Sequence, residues 1–227
     1  PTCVIVKHTN PCGVASSKNI YSAFTKSFNV DKKSAFGGII LLNKRVEFNL
    51  AKKLTENFFE VIAAPNFTER SLQKLKERKN LILIKIGKIA RQQWDIRSTI
   101  FGDIYQSNDN QVINKKFFKN VTNSRASTRR ESDIVFALKV VKHLKSNSVV
   151  LAKNNQVVGL SSGQTNRVDS VKQALSRMKK NFNIKDFVCA SDGFFPFNDS
   201  LKLLKKNFCC AVAQPSGSIN DDVIIEY

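Results

Sequence analysis

The chain has 227 residues, enough for one large domain or two modest ones with real cores. Its 42% hydrophobic and 9% aromatic content excludes a disordered chain, and no apolar run of about 18 residues is present to span a membrane as a helix. A formal charge of +19 and a pI near 9.9 admit nucleic acid or anionic small molecules as partners. The cations are spread along the polar sides of helical patterns ("SLQKLKERKN", "SVKQALSRMKKNFN") with no aromatic-interleaved basic stripe. Solvated helix faces are the leading reading and a nucleic-acid partner is not expected; the alternative is a basic polyanion- or RNA-binding module, or an inactive remnant, on the same fold.

In chain order, strand-like and helix-like segments alternate. Thr2–Val6 reads as a buried strand, followed by a Pro/Gly turn and an amphipathic helix around Ile20–Phe28. Phe36–Asn43 is strand-like, and Asn49–Asn57 is helical with Asn49 as a candidate cap. Glu60–Pro65 is a short apolar run, Glu69–Lys79 a helix and Leu81–Ile86 a strand. Residues 88–128 are less regular and include the single tryptophan, Trp94. Glu131–Lys145 puts its apolar residues on one helical face. "SVVLAKNNQVVGL" reads as a hairpin turning at Asn154–Asn155. Val171–Lys180 and Leu201–Lys206 are helical, while "FVCASDG" and "CCAVAQP" end buried strands. Two α/β segments, roughly 1–105 and 120–227, thus flank an irregular middle, and the expected division is 1–110 and 111–227. The chain opens in a strand-like run and closes in helix-like "DDVIIEY", so a longer natural chain is expected.

Five cysteines without a C-x-x-C pair point to reduced, mostly buried thiols and a cytoplasmic setting. Lys7 and His8 stand together where the first strand ends, and His is scarce, with 2 in the chain. A His near neutral pKa can relay a proton and an adjacent Lys can stabilise developing negative charge; the alternative is a surface Lys beside a structural His. "HTNPCGVA" resembles the H-x-E and P-C-x-x-C signature of zinc nucleobase deaminases only in part: the Glu is missing and Ala15 takes the second Cys position. Zinc is not expected. "ASDGFFPFND" offers aromatic faces and a carboxylate to a heterocycle, or else core rings and a helix cap at Asp199. "SSGQTNRVDS" leads a Gly-containing turn to Arg167, an anion site or a helix start. Asn147 alone would read as a helix C-cap.

The stretches "VKHTNPCGVA", "SAFGGII", "FFEVIAAPNF", "VVKHLKSNSVVLAKNNQVVG", "SGQTNRVDS", "ASDGFFPFND" and "QPSGSINDD" together resemble, in order, the AICAR transformylase region of the bifunctional AICAR transformylase/IMP cyclohydrolase family. The resemblance implies a cytidine-deaminase-like α/β fold in two similar subdomains with mixed sheets and no zinc. It implies formyl transfer from 10-formyltetrahydrofolate to the 5-amino group of AICAR, a homodimer with sites at its interface, and room for a monovalent cation. His8 matches the proton-transfer His, Lys7 the charge-stabilising Lys, and Asn147 the Asn that orients the formyl group. Asn10, Arg167 and Phe194 match substrate-binding positions. Asp199 matches the acid that binds the pterin, with Phe36, Gly37, Phe195, Pro196 and Glu60 also assigned to the folate site. The family's G-x-G-A-G-Q-x-S-R turn is here "GLSSGQTNR", with Ser161, Ser162 and Asn166 departing from it. The cyclohydrolase domain, an Arg for the AICAR phosphate ahead of this span, and a closing Arg and aromatic beyond it are not contained in these residues.

Overall fold

The computed structural model describes every residue except Ile89 and Arg91. Strand β1 (Thr2–Lys7) buries Cys3 and Ile5 on one face and turns through His8 and Thr9 into β2 (Asn10–Ser16). A Pro/Gly turn was expected over this second segment. It is a strand instead, because the reversal needs two residues and Pro11, which has no N–H to give, sits beside the register shift of the hairpin. Both turn residues are left-handed, with φ of 50° at His8 and 63° at Thr9. That geometry matches the twist of paired strands, but a β-branched residue adopts it at a cost of about 1–2 kcal/mol. Thr9→Asn is therefore expected to stabilise the chain by about 1 kcal/mol. A denaturant midpoint that stayed or fell would show an unstrained turn.

Helix α1 (Ile20–Val30) starts where the Asn19 side chain accepts the Ser22 N–H, and it lies on β1 and β2. A short α2 (Lys32–Ala35) leads to β3 (Gly38–Leu42), α3 (Phe48–Leu54), β4 (Phe59–Ala64), α4 (Glu69–Lys76) and β5 (Ile82–Lys85). Glu47, not Asn49, occupies the cap position of α3, one residue before the helix starts at Phe48. The middle segment contains an unexpected hairpin, β6 (Trp94–Thr99) and β7 (Gly102–Ser107), forming a separate two-stranded sheet. Nearly all its side chains are exposed, so no buried face imposed an apolar alternation on the sequence.

Helix α5 (Thr128–Val141) begins three residues earlier than expected, at a Ser127 cap, and ends before Lys145. It is followed by β8 (Val149–Lys153), β9 (Gln156–Ser161), α6 (Arg167–Asn181), β10 (Phe187–Ser191), α7 (Asp199–Lys206), β11 (Cys209–Ala213) and α8 (Asp221–Glu226). The β8–β9 turn, at Asn154 and Asn155, repeats the left-handed pair with φ of 55° and 54°. The buried carboxylate of Asp133 on α5 accepts both of their backbone N–H groups, at 2.9 and 2.7 Å.

Among the described residues, nine strands form one mixed sheet in the order β11-β10-β8-β9-β2-β1-β3-β4-β5. The halves meet where Ala15 on β2 pairs with Gln156 on β9. Each half has an antiparallel hairpin, a third strand antiparallel to the hairpin's first, and a fourth parallel to the third. The hairpins align without a gap, "VIVKHTNPCGVAS" on "VLAKNNQVVGLSS", so that Lys7 corresponds to Lys153 and Gly13 to Gly159. Both glycines are required: a Cβ on Gly13 would overlap the carbonyl of Ser27 on α1, and one on Gly159 that of Ala174 on α6. The helix of each half can thus lie directly on its hairpin. Three apolar clusters result, one under α1, α3 and α4, one under α5, and one under α6 and α7.

Candidate active site

Strand directions bring the candidate residues to one edge of the sheet. The C-terminal ends of β1, β9 and β10 and the N-terminal ends of β3, β4 and β8 all reach it, as the pairings require. That edge carries Lys7 and His8, Phe36 and Gly37, Glu60, Asn147, and the loop from Asp192 to Asp199.

Around the first hairpin, Lys7 Nζ donates to the Phe36 carbonyl at 2.6 Å. The Phe36 ring is exposed and packs against Phe58 with centroids 5.3 Å apart. Gly37, with φ of 67°, donates its N–H to the Phe58 carbonyl at 3.0 Å, a position where only glycine is unstrained. Glu60 is exposed at the start of β4. The His8 side chain is exposed, and its carbonyl accepts from the Asn10 amide at 2.9 Å. Asn10 Oδ1 also lies 3.1 Å from Ser162 Oγ, which joins the first hairpin to the loop after β9.

A cavity of about 320 Å³ opens between these parts and is lined by Lys7, His8, Asn10, Cys12, Lys145 and Arg177, among others. Three cations and the single carboxylate of Asp31 line it, so it suits an anionic ligand. The Cys12 thiol in its wall is pushed up to about 11 by burial, which keeps it neutral at physiological pH. A larger, more open depression of about 580 Å³ between α1 and α3 gathers none of the candidate residues.

The second group surrounds Asn147. Its N–H and its side-chain amide both donate to the Gln164 carbonyl, at 3.0 and 2.9 Å, and Ser170 Oγ donates to its carbonyl. It caps no helix, since α5 ends at Val141. Arg167, expected at a substrate-binding position, is turned inward with its side chain 9% exposed. Its guanidinium pairs with Asp192 and donates to the Ser148 carbonyl at 3.0 Å. Asp192 also accepts the Ser148 N–H at 2.9 Å and the Ser146 hydroxyl. Burial alone would raise the Asp192 carboxyl, but the hydrogen bonds from Ser146, Arg167 and Ser148 outweigh it and hold it below the usual carboxylate range.

In the loop that follows, Phe194 and Phe197 are exposed, at 41% and 65%. Phe195, assigned to the folate site, has its ring fully buried among the residues under α6 and α7, and its N–H donates to Gln214. The buried ring anchors the loop. Pro196 is held through its carbonyl by Asn220 at 2.8 Å. Asp199 is the first residue of α7, exposed, with Asn198 at the cap position. Among the described residues, no hydrogen bond joins Lys7 or His8 to Asn147, Arg167 or Asp199, and no three His, Cys, Asp or Glu side chains gather as a metal site.

The departures in the "GLSSGQTNR" loop have local uses. Ser162 makes the link to Asn10, and Asn166 caps α6 by accepting the Asp169 N–H at 2.8 Å. Residues overlooked in the sequence are Asp192, Phe58, Lys145 and Arg177. Asp192 carried a signal, as a polar residue directly after the apolar run "FVCAS"; the other three are placed by tertiary contacts alone.

Comparison with known proteins decides the family. The model of the AICARFT/IMPCHase bienzyme matches residues 1–177. The chain belongs to this family. A protein of Caldicellulosiruptor saccharolyticus called bifunctional purine biosynthesis protein PurH is 40% identical over all of this chain and 44% of its own length. Proteins of the same name from Aquifex aeolicus and Persephonella marina are 41% and 44% identical over 99% of this chain, again 44% of theirs. The chain therefore spans less than half the length of these relatives.

Proposed function

We propose that this chain is the transformylase part of a bifunctional enzyme, with a cytidine-deaminase-like arrangement of two similar subdomains, acting on AICAR and 10-formyltetrahydrofolate. The observation that carries this reading is the convergence of Lys7, His8, Asn147 and Asp199 on one sheet edge, beside a cavity lined by three cations.

The AICAR amine is a weak nucleophile because its lone pair is delocalised into the ring and carboxamide. Its nitrogen attacks the formyl carbon, His8 takes the amine proton, and the C–N10 bond of the folate breaks as N10 is protonated. The ammonium of Lys7 stabilises negative charge on the formyl oxygen, and the amide of Asn147 orients that group. The cationic cavity is suited to the AICAR phosphate. Phe194 and Phe197 offer exposed ring faces, and the carboxylate of Asp199 accepts hydrogens from the pterin edge; Glu60 and Phe36 flank the same edge. The resemblance to the AICAR transformylase region supports a homodimer in which two copies complete each site. Five free thiols suit a cytoplasmic setting.

Because Asp199 is exposed and its side-chain hydrogen bond, among the described residues, is the one it accepts from the adjacent Ser200 N–H, Asp199→Ala should leave the fold intact. In calorimetric titrations of the parent gene product it is expected to weaken binding of a folate analogue by at least about tenfold, an energy of about 1.4 kcal/mol. AICAR binding should stay unchanged. Unaltered folate affinity would remove Asp199 from the site.

A further inference from the structure

The second half of the sheet repeats the local frame of the candidate site, and the two copies can be compared residue by residue. Lys153, the counterpart of Lys7 in the hairpin alignment, donates its Nζ to the Lys185 carbonyl at 2.6 Å, as Lys7 does to the Phe36 carbonyl at 2.6 Å. The residue after each carbonyl is left-handed, with φ of 63° at Asp186 and 67° at Gly37. Each returns its N–H to the carbonyl of a phenylalanine directly before the last strand of this frame. Asp186 donates to Phe208 before β11 at 3.1 Å, and Gly37 to Phe58 before β4 at 3.0 Å. In both halves the side chain of the residue gripped by the lysine also lies on that phenylalanine. The Lys185 ammonium sits 4.4 Å from the Phe208 ring centroid, and the Phe36 and Phe58 centroids are 5.3 Å apart.

The lysine and the phenylalanine are common to both copies, so they belong to the frame. Three positions differ: His8, Phe36 and Gly37 stand where the second half has Asn154, Lys185 and Asp186. The frame forms without an aromatic residue at the gripped position, yet the first half places there a ring that is 61% exposed, on the edge that also carries His8. Exposed paired rings beside a site offer a face to a flat ligand group. Lys7 holds Phe36 by its carbonyl, and Phe58 supports it by its ring. The Phe58 ring also lies against Gly37, where an added Cβ would meet it at 3.6 Å.

We propose that Phe58 is a positioning residue for folate binding: with Lys7 it fixes the Phe36–Gly37 segment, against which the aromatic part of the co-substrate packs. The inference rests on the formyl-transfer reading and adds to it a residue that the sequence motifs did not mark. Lys7 can both grip the segment and face the formyl oxygen, because an ammonium has three N–H donors and the Phe36 carbonyl takes one.

The test uses Phe58→Ala, Phe58→Tyr and Phe208→Ala in the parent gene product. Calorimetric titration gives the affinity for tetrahydrofolate, and steady-state rates give kcat and KM for 10-formyltetrahydrofolate. Phe58 and Phe208 are comparably exposed, at 46% and 55%, so Phe208→Ala controls for loss of the frame alone. Phe58→Ala is expected to weaken tetrahydrofolate binding and raise KM by about three- to tenfold, with kcat and AICAR affinity changed by less than about twofold. Phe58→Tyr, which keeps the ring, should bind as the natural chain does. Phe208→Ala should lower the urea midpoint as Phe58→Ala does and leave tetrahydrofolate binding unchanged. Natural affinity in Phe58→Ala, an equal loss in Phe208→Ala, or a loss confined to kcat would each overturn the proposal while leaving the formyl-transfer reading in place. A natural chain that binds no tetrahydrofolate would overturn both.

Discussion

His8→Asn in the parent gene product is expected to lower formyl transfer by about 10²–10⁴-fold, the usual worth of a positioned proton acceptor. Asn is the informative replacement. It occupies the corresponding turn position, Asn154, in the second hairpin, and it tolerates the left-handed conformation that His8 adopts with φ of 50°. The variant should therefore fold at least as well as the natural chain, and lost activity cannot be charged to lost structure. Substrate affinities should change little, because the loss lies in proton transfer. His8→Ala should show the same loss in rate. Retention of more than about a tenth of the activity would assign the proton to another group.

The second large effect concerns stability. Asp192 and Arg167 form a pair whose side chains are 12% and 9% exposed. Removing one partner of a buried pair strands the other, at a cost of about 3 kcal/mol. Asp192→Ala is thus expected to lower the unfolding free energy by that amount in urea titrations, and to free the guanidinium beside Asn147. The pH dependence follows from the lowered Asp192 carboxyl. A carboxyl with a folded pKa below its unfolded value stabilises the fold above the unfolded pKa of about 3.9, and that stabilisation is lost as pH falls through the folded pKa. The natural chain should lose stability over that acid range more steeply than Asp192→Asn does. Parallel curves would show that Asp192 is not linked to folding.

Much of the fold was legible because burial imposes a period. β1, β8 and β10 alternate or run apolar between polar ends, and the Asn154–Asn155 turn has the residues that its left-handed conformation favours. β2 was not legible, because Pro11, Cys12 and Gly13 look like a turn until the bulge beside Pro11 and the close approach of Ser27 to Gly13 are known. The β6–β7 hairpin was hidden for the opposite reason, having no buried face to pattern it. In the site, sequence order carried the motifs but not the direction of their side chains. Phe194, Phe195 and Phe197 differ little as letters, yet the middle one is core and the others face solvent. Arg167 turns inward because of a carboxylate 25 positions later in the chain. That Lys7 and Asn147 share an edge depends on the strand order β8-β9-β2-β1, which no local pattern records.

Product analysis of the parent gene product given AICAR and 10-formyltetrahydrofolate separates formyl transfer from cyclisation. Formyl-AICAR is expected to form, its formation to require the folate, and His8→Asn to slow it by about 10²–10⁴-fold while cyclisation of added formyl-AICAR continues. A natural chain that cyclises added formyl-AICAR but never makes it from AICAR and the folate would contradict the assignment of these residues to formyl transfer.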